Sequence, residues 1–221
     1  MCGRYSIVPG PSMSALLDEL EAPASIPEQY NIAPTESVPI IYEQDGQREC
    51  HLARWWLTPS WSSGPSTKYA MFNARSETLN TSRAYKGSFR HKRCVMPVTS
   101  FIEWQKVDGG KQPIEIYRAD KPILFAGLWD CWNEELISCS IVTTKAAKSV
   151  EPIHNRMPVL LDLTGAKQWL DTAAELNDLY PLFADKLPYE LLARPVQQDI
   201  NSSRNKSAAI PIDNSQVMVL N

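Results

Sequence analysis

Apolar side chains along this chain fall mostly into short runs, and only a few stretches show the spacing of one face of a helix. That spacing predicts a short amphipathic helix over residues 12–20 and a second helix over residues 82–90. Thr164 stands where a cap would begin a third helix that continues through Leu170. Acidic helical segments follow it, so the predicted helices are few and short.

Strands account for most of the remaining apolar pattern. Residues 38–43 and 50–57 predict a hairpin, because the Asp45-Gly46 pair between them favours a turn with positive φ. Later apolar runs predict further strands at residues 95–107, 113–118, 123–129, 136–143, 158–161 and 217–220. These runs follow one another as hairpins without regular helical crossovers, which predicts an α+β fold with a mainly antiparallel sheet. No internal linker is visible, so we expect a single domain over residues 1–221.

Composition narrows the class of protein. Hydrophobic residues make up 43% and charged residues 21% of the 221 positions, as in an ordinary globular chain. Five scattered cysteines without a C-x-x-C pair fit a reducing compartment better than a disulfide framework or a zinc site. No apolar run approaches the ~20 residues of a membrane span, and the amino terminus lacks a signal-peptide core. The sequence therefore predicts a soluble cytoplasmic protein with no membrane partner and no metal or other cofactor.

Charge is distributed unevenly along the chain. The net charge of −3 argues against a protein that coats nucleic acid by bulk charge. No acidic residue lies between Glu77 and Glu103, and that interval contains a cluster of basic residues: Arg83, Lys86, Arg90, Lys92 and Arg93. Residues 162–190 reverse this balance. A local basic strip suits an anionic ligand held at one place, although two solvated helix faces would give the same pattern.

Cys2 offers the most distinctive chemistry of the chain. Removal of Met1, usual before a small second residue, would leave Cys2 with a free amine and a thiol on adjacent carbons. Their ordinary pKa values, about 7.7–8.0 and about 8.5, make both groups partly nucleophilic near neutral pH. An aldehyde would condense with the amine to an imine, which the thiol closes to a thiazolidine ring. Alternatively the thiolate attacks an amide carbonyl, as in N-terminal-nucleophile hydrolases, or the cysteine is inert.

The segment Phe72-Asn73-Ala74-Arg75 is the next candidate for ligand binding. In an extended conformation Asn73 and Arg75 share one face, because strand side chains alternate. They then offer an amide and a planar guanidinium, which suit a sugar or base and a phosphate. A surface strand in which Arg75 pairs with Glu77 is the alternative.

Glu103 is the single charged residue in the apolar stretch from Cys94 to Gln105. Burial would disfavour its charged form and raise its pKa into the range in which a carboxyl transfers protons at neutral pH. Phe101 would lie beside it on the same face of the strand. The alternatives are an edge position in water or a pair with Lys106.

His154 and Arg156 share a face if the segment from Pro152 to Pro158 is extended. Histidine is the commonest acid/base side chain near pH 7, although a lone histidine is more often a residue with only a structural role. His51 and His91 are only weak hints of a metal site. Trp61 follows a proline and lies among serines, so we expect it outside the core, where an aromatic face stacks on unpaired bases.

Five sequence blocks together resemble the SRAP family of SOS-response-associated proteins, which crosslink to abasic sites in single-stranded DNA. The blocks are Cys2-Gly3-Arg4-Tyr5, Tyr30-Asn31-Ile32-Ala33-Pro34, Asn73-Ala74-Arg75-Ser76-Glu77-Thr78, Phe101-Ile102-Glu103-Trp104 and Ile153-His154-Asn155-Arg156-Met157-Pro158. The resemblance implies one α+β domain with a curved, barrel-like antiparallel sheet, peripheral helices and a basic groove for single-stranded DNA. It also implies removal of Met1 and a thiazolidine between Cys2 and the aldehyde of the ring-opened deoxyribose.

The same resemblance implies a role for each matching residue. Asn73 would orient the sugar and the Cys2 amine, Glu103 would transfer protons, and His154 would act as acid or base on the imine, including a slower strand-cleaving or adduct-reversing route. The implied DNA-binding residues are Arg4, Arg75, Arg83, Arg156 and Trp61, with Thr143 as a weaker candidate. The sequence departs from the family pattern at two places. One tryptophan follows the proline loop where relatives often have two, and Asn155-Arg156-Met157 varies the usual end of its block. Both departures affect the expected contacts at a single-strand/double-strand junction.

The sequence is also compatible with other functions of Cys2. Many class II glutamine amidotransferases also begin Met-Cys-Gly, although Arg4-Tyr5 and the tryptophan-rich loop argue against that family. Peptidase or autoprotease action, the activity in the family's original name, would use Cys2, Glu103 and His154. A non-covalent DNA binder is a further alternative. The expected partner is single-stranded DNA with abasic sites, including strand junctions, bound by a monomer that is cytoplasmic and nucleoid-associated when on DNA.

Overall fold

The computed structural model describes residues 2–22 and 24–221. Strands dominate this part of the chain: β1 (Arg4–Ile7), β2 (Gln29–Ile32), β3 (Ser37–Gln44), β4 (Gln47–Arg54), β5 (Asn73–Arg75), β6 (Arg93–Val98), β7 (Ser100–Val107), β8 (Gly110–Tyr117), β9 (Ile123–Trp132), β10 (Leu136–Lys145), β11 (Arg156–Pro158), β12 (Leu160–Leu161), β13 (Leu191–Pro195) and β14 (Met218–Leu220). The α-helices are α1 (Pro11–Glu19), α2 (Lys86–His91), α3 (Leu163–Leu170) and α4 (Leu176–Leu179). No helix within the described ranges has the length and apolar character needed to cross a membrane.

The strands form two sheets. The first has six strands in the order β14-β13-β8-β7-β1-β2, and the second has eight, β11-β10-β4-β3-β6-β9-β12 with β5 on β10. Because β9 also pairs with β10, the second sheet closes on itself as a ring. Most pairings are antiparallel, whereas β10 runs parallel to β4 and β5. The predicted α+β fold with a mainly antiparallel, curved sheet is confirmed, with the strands divided between two sheets.

Two hairpin turns contain residues with positive φ. Asp45 and Gly46 have φ values of 52° and 74° and join β3 to β4, as a two-residue turn with left-handed positions requires. Gly109, with φ of 84°, turns the chain between β7 and β8. The predicted Asp45-Gly46 turn is therefore confirmed.

The predicted strand over residues 95–107 is wrong, because the chain changes sheet in its middle. β6 ends at Val98 and β7 begins at Ser100, and the two strands belong to different sheets. Thr99 makes the corner by donating its backbone N–H and its hydroxyl to the Ser6 carbonyl, at 2.9 and 3.0 Å. The apolar pattern does not mark this corner, since the residues on both sides of it are buried.

Two predicted helices differ in their first residues. The helix predicted over residues 82–90 begins only at Lys86, after turns that bond Tyr85 to Ser82. Asp162, and not Thr164, caps α3: its Oδ1 accepts the Gly165 N–H at 2.7 Å. Both residue types cap helices well, so local preference alone does not choose between them.

Aromatic packing joins the two sheets next to the amino terminus. Tyr5 of β1 lies between two residues of the second sheet region, with ring centroids 4.9 Å from Trp55 and 6.1 Å from Phe125. Phe101 of β7 contacts Phe125 as well, at 5.4 Å. All four rings are buried, and burial of such rings contributes several kcal/mol each, on the order of 3–5 by truncation. The start of β1 is therefore held firmly against the ring-like sheet.

Candidate functional site

Cys2 lies directly before β1 and is fully buried. β1 pairs antiparallel with β7, with Arg4 opposite Ile102, and continuing this register places Gly3 opposite Glu103. The thiol donates to the Arg4 carbonyl at 3.7 Å. Burial raises the pKa of the Cys2 thiol well above its ordinary value, and the nearby charge of Glu103 raises it further. The thiol is therefore protonated at neutral pH in this environment and close to the carboxyl.

Glu103 is 1% exposed, which excludes the predicted alternative of an edge position in water. Burial raises the pKa of this carboxyl from its ordinary 4.5 to about 7. The prediction drawn from a single charge in an apolar stretch is confirmed, with Phe101 buried beside it on β7. Glu103 can hold or release a proton at the pH of a cell.

Asn73 connects the second sheet to Cys2. β5 is extended, as the alternation argument required, and pairs parallel with β10. The Asn73 side-chain Nδ2 donates to the Cys2 carbonyl at 2.8 Å, and the Tyr85 hydroxyl donates to the Asn73 carbonyl at 3.2 Å. Asn73 Oδ1 is buried and accepts no hydrogen bond within the described part of the chain. An acceptor is thus available beside Cys2 for a donor group of a ligand.

His154 lies in the turn that precedes β11 and is half-buried. Its Nδ1 lies 3.0 Å from the backbone nitrogen and 3.1 Å from the carbonyl oxygen of Arg156, so the Arg156 backbone fixes the orientation of the ring. Burial lowers the pKa of His154 below its ordinary value, and the ring is mostly neutral at pH 7. Gln105 of β7 donates to the Pro152 carbonyl at 3.2 Å, which ties this turn to the strand that carries Glu103.

Arg156 is already engaged in the free protein. Its two terminal nitrogens donate to the Glu77 carboxylate at 2.7 and 3.0 Å, and Nη2 also donates to the Thr143 carbonyl at 2.7 Å. The alternative in which Glu77 pairs with Arg75 is not what the structure shows. Thr143 is fully buried, and its hydroxyl donates to the Ala74 carbonyl at 3.3 Å, so its observed contacts support Arg156 and β5.

The remaining basic candidates lie at different depths. Arg4 is half-buried and donates to the Gly3 carbonyl at 2.9 Å, and burial lowers the pKa of its guanidinium. Arg75 is exposed on β5. Arg83 places its guanidinium carbon 4.4 Å from the ring centroid of Trp61, a cation–π contact. Trp61 is 54% exposed, which confirms its predicted place outside the core.

The structure brings eight of the ten candidates together in three groups, whereas Arg4 begins β1 after Cys2 and His154 contacts the Arg156 backbone in the turn before β11. Cys2, Asn73 and Glu103 meet at the start of β1; Arg75, Thr143 and Arg156 occupy the neighbouring strands β5, β10 and β11; and Trp61 and Arg83 form a separate exposed pair. The sequence reasoning missed Tyr85 and Gln105, because each bonds a backbone carbonyl and leaves no pattern in the sequence. No cluster of metal-ligating side chains occurs within residues 2–22 and 24–221.

Comparisons with known proteins agree on one family. The sequence profile of the SOS response associated peptidase (SRAP) family matches residues 1–203. The chain is 31% identical over 223 residues to the abasic site processing protein YoqW of Bacillus subtilis (strain 168), covering 94% of this chain and 97% of that one. It is 32% identical over 180 residues to the abasic site processing protein YedK of Escherichia coli (strain K12), covering 77% and 79%. A crystal structure of a protein from Bacteroides thetaiotaomicron shares the fold, with a TM-score of 0.78 at 22% identity over 92% of this chain and 97% of that one. The profile match over residues 1–203 and the two relatives show that this chain belongs to the SRAP family.

Proposed function

We propose that this chain processes abasic sites in single-stranded DNA by forming a covalent thiazolidine through Cys2 after Met1 is removed. Membership of a family whose relatives are named abasic site processing proteins supports the substrate class. The observation that carries the chemistry is the arrangement at Cys2: its carbonyl is held by Asn73, and a carboxyl with a pKa of about 7 lies beside it. An amine placed there has a proton donor and a fixed orientation.

The reaction balances without any co-reactant. The Cys2 amine attacks C1′ of the ring-opened deoxyribose aldehyde, and the resulting carbinolamine loses its hydroxyl as water. Glu103 donates the proton to that hydroxyl and takes back the proton that leaves the nitrogen. The thiol sulfur then adds to the imine carbon while its proton moves to the nitrogen. One water is lost overall, and the proton that the buried thiol retains before the reaction ends on the ring nitrogen, because the sulfur adds to the imine carbon as the thiolate.

His154 has the properties of a base for the imine or its hydrolysis. Its lowered pKa keeps the ring neutral near pH 7, and the backbone N–H of Arg156 fixes its orientation. In the proposed scheme it serves the slower route, in which the adduct reverses or the strand is cleaved. Glu103 serves the forward route.

The proposal is tested by incubating the purified protein with an oligonucleotide that carries one abasic site. We expect a species that survives boiling in detergent, whose mass equals the Met1-free chain plus the oligonucleotide less one water. An adduct on a chain that retains Met1 would overturn the chemistry. Conversion of glutamine to ammonia with no DNA adduct would make the chain an amidohydrolase, and salt-sensitive binding with no covalent species would leave a simple DNA binder.

Arg75 is expected to contact a phosphate, because it is exposed on the strand that also carries Asn73. Arg75→Ala should weaken binding to lesion-free single-stranded DNA and lower the slope of log affinity against log salt by about one. Fluorescence anisotropy over a salt series measures both quantities. Lys121→Ala, in the turn between β8 and β9, is the control, because it also removes one positive charge. An unchanged slope in Arg75→Ala would mean that Arg75 does not contact a phosphate.

Glu77 competes with DNA for Arg156 if that guanidinium binds a phosphate. Glu77→Gln keeps the side-chain shape but removes the charge that pairs with Arg156. We expect affinity for lesion-free single-stranded DNA to rise by about threefold, the scale of a half-exposed ion pair. An unchanged affinity, together with no effect of Arg156→Gln, would restrict Arg156 to holding β11 against β5.

A further inference from the structure

Trp61 lies on a loop that contains no helix or strand of its own. The loop leaves the ring-like sheet at Leu57 and returns at Met71, where the Leu57 N–H donates to the Met71 carbonyl at 3.1 Å. Trp61, within this loop, is more than half exposed. Ordering such a segment has an entropic cost for every residue, so an aromatic side chain here keeps one position only if other elements hold the loop.

The β9–β10 hairpin provides that support through three hydrogen bonds. They are Thr58 N–H to Ser138 Oγ at 2.8 Å, Ser60 N–H to Asp130 Oδ2 at 2.8 Å, and Trp132 Nε1–H to the Ser62 carbonyl at 2.9 Å. The bonded loop positions are 58, 60 and 62, so the residues immediately before and after Trp61 are both held. The loop backbone around Trp61 is therefore fixed by side chains from another part of the chain.

Asp130 is the central member of this support. Asp130 is 6% exposed, and its carboxylate accepts the N–H of its neighbour Cys131 at 2.9 Å as well as the Ser60 N–H, and pairs with Lys92 Nζ at 2.5 Å. Burying a carboxylate is costly unless it is paired and hydrogen-bonded. Here the charge is compensated by Lys92, and one oxygen remains directed at the loop.

The Arg83 guanidinium carbon lies over the Trp61 ring, 4.4 Å from its centroid. An exposed ring with a cation on it combines stacking on a base with attraction to the neighbouring phosphate. Holding such a ring in place before DNA arrives lowers the entropy lost on binding.

We propose that Asp130 and Trp132 are positioning residues for DNA binding, acting through Trp61 by fixing residues 58–62 of the loop. They do not touch the abasic site, and their effect is on affinity for the unpaired strand. This inference rests on the proposed function, because the ligand of Trp61 is taken to be an unpaired base.

The test is a double-mutant cycle between Trp132 and Trp61, read as affinity for a lesion-free single-stranded oligonucleotide at fixed salt. Trp132→Phe keeps an aromatic ring and removes the indole N–H that bonds Ser62. Trp56→Phe is a matched control, because the Trp56 indole N–H has no acceptor within the described part of the chain. We expect Trp61→Ala to weaken binding by about 10-fold and Trp132→Phe by about threefold, a part of the stacking energy of one base. In the Trp61→Ala background, Trp132→Phe should have no further effect.

The outcomes separate the inference from the proposed function. Equal effects of Trp132→Phe in both backgrounds, or no effect where Trp61→Ala weakens binding, would overturn the positioning role and leave covalent capture untouched. If Trp61→Ala does not change the affinity, Trp61 does not contact DNA and the positioning role is overturned. The adduct assay tests the role of Cys2 separately. Asp130→Asn provides a second variant with the same expected dependence on Trp61, and thermal melting of each variant identifies any that fails to fold.

Discussion

Cys2→Ala is expected to abolish the heat-stable adduct with abasic DNA completely while leaving affinity for lesion-free single-stranded DNA within about twofold. The substitution leaves an amine at the mature terminus but removes the only atom that can close the ring. Cys2 is buried against β7 and contacts DNA only through the lesion in the proposed scheme, so ordinary binding has no reason to change. Denaturing gels and anisotropy on the same preparation measure the two quantities.

Cys2→Ser separates the two halves of the reaction. Serine keeps the amine and a small side chain, so the imine should still form and should be trapped by borohydride, but no adduct should persist without the reductant. A heat-stable adduct on the unreduced serine or alanine variant would mean that another nucleophile captures the lesion. Loss of DNA affinity in parallel with the adduct would instead assign Cys2 to folding of the β1 start.

Predictions from the sequence succeeded where the deciding neighbours lie close along the chain. Glu103 is flanked by apolar residues on its own strand, so its burial and raised pKa followed from the local pattern. Trp61 lies among a proline and serines, and its exposure followed in the same way. The turns at Asp45-Gly46 and Gly109 are set by two or three residues.

Predictions failed where a distant partner decides. Arg156 and Glu77 are 79 positions apart, and their ion pair excludes the alternative in which Glu77 pairs with its neighbour Arg75. The corner at Thr99 exists because Ser6, 93 positions away, accepts its hydrogen bonds, and the apolar run across the corner gives no sign of it. No prediction was possible for Asp130, because its carboxylate accepts a hydrogen bond from a loop 70 positions earlier in the chain.

Glu103→Gln is expected to slow adduct formation by about 100-fold near neutral pH, the scale of one general acid–base group, with DNA affinity unchanged. With a pKa of about 7, the wild-type carboxyl loses its proton as the pH rises through neutrality, whereas the Cys2 amine gains reactivity up to about pH 8. The wild-type rate should therefore pass through a maximum, and the glutamine variant should keep only the rising limb. Single-turnover rates across pH measure this, and an equal loss of rate and affinity would make Glu103 a structural residue.

The pH dependence of folding stability tests the raised pKa of Glu103 independently of the reaction rate. Because the folded pKa of about 7 exceeds the ordinary 4.5, the folded state retains the proton longer than the unfolded chain. The stabilisation is fully present below pH 4.5 and is lost as the pH rises through 7, a change of roughly 3 kcal/mol. Glu103→Gln has no such titration, so its advantage in melting temperature over wild type should be larger above neutrality than in mild acid. If the pH had no influence on that difference, the Glu103 carboxyl would have an ordinary pKa and could not be the proton donor for imine formation.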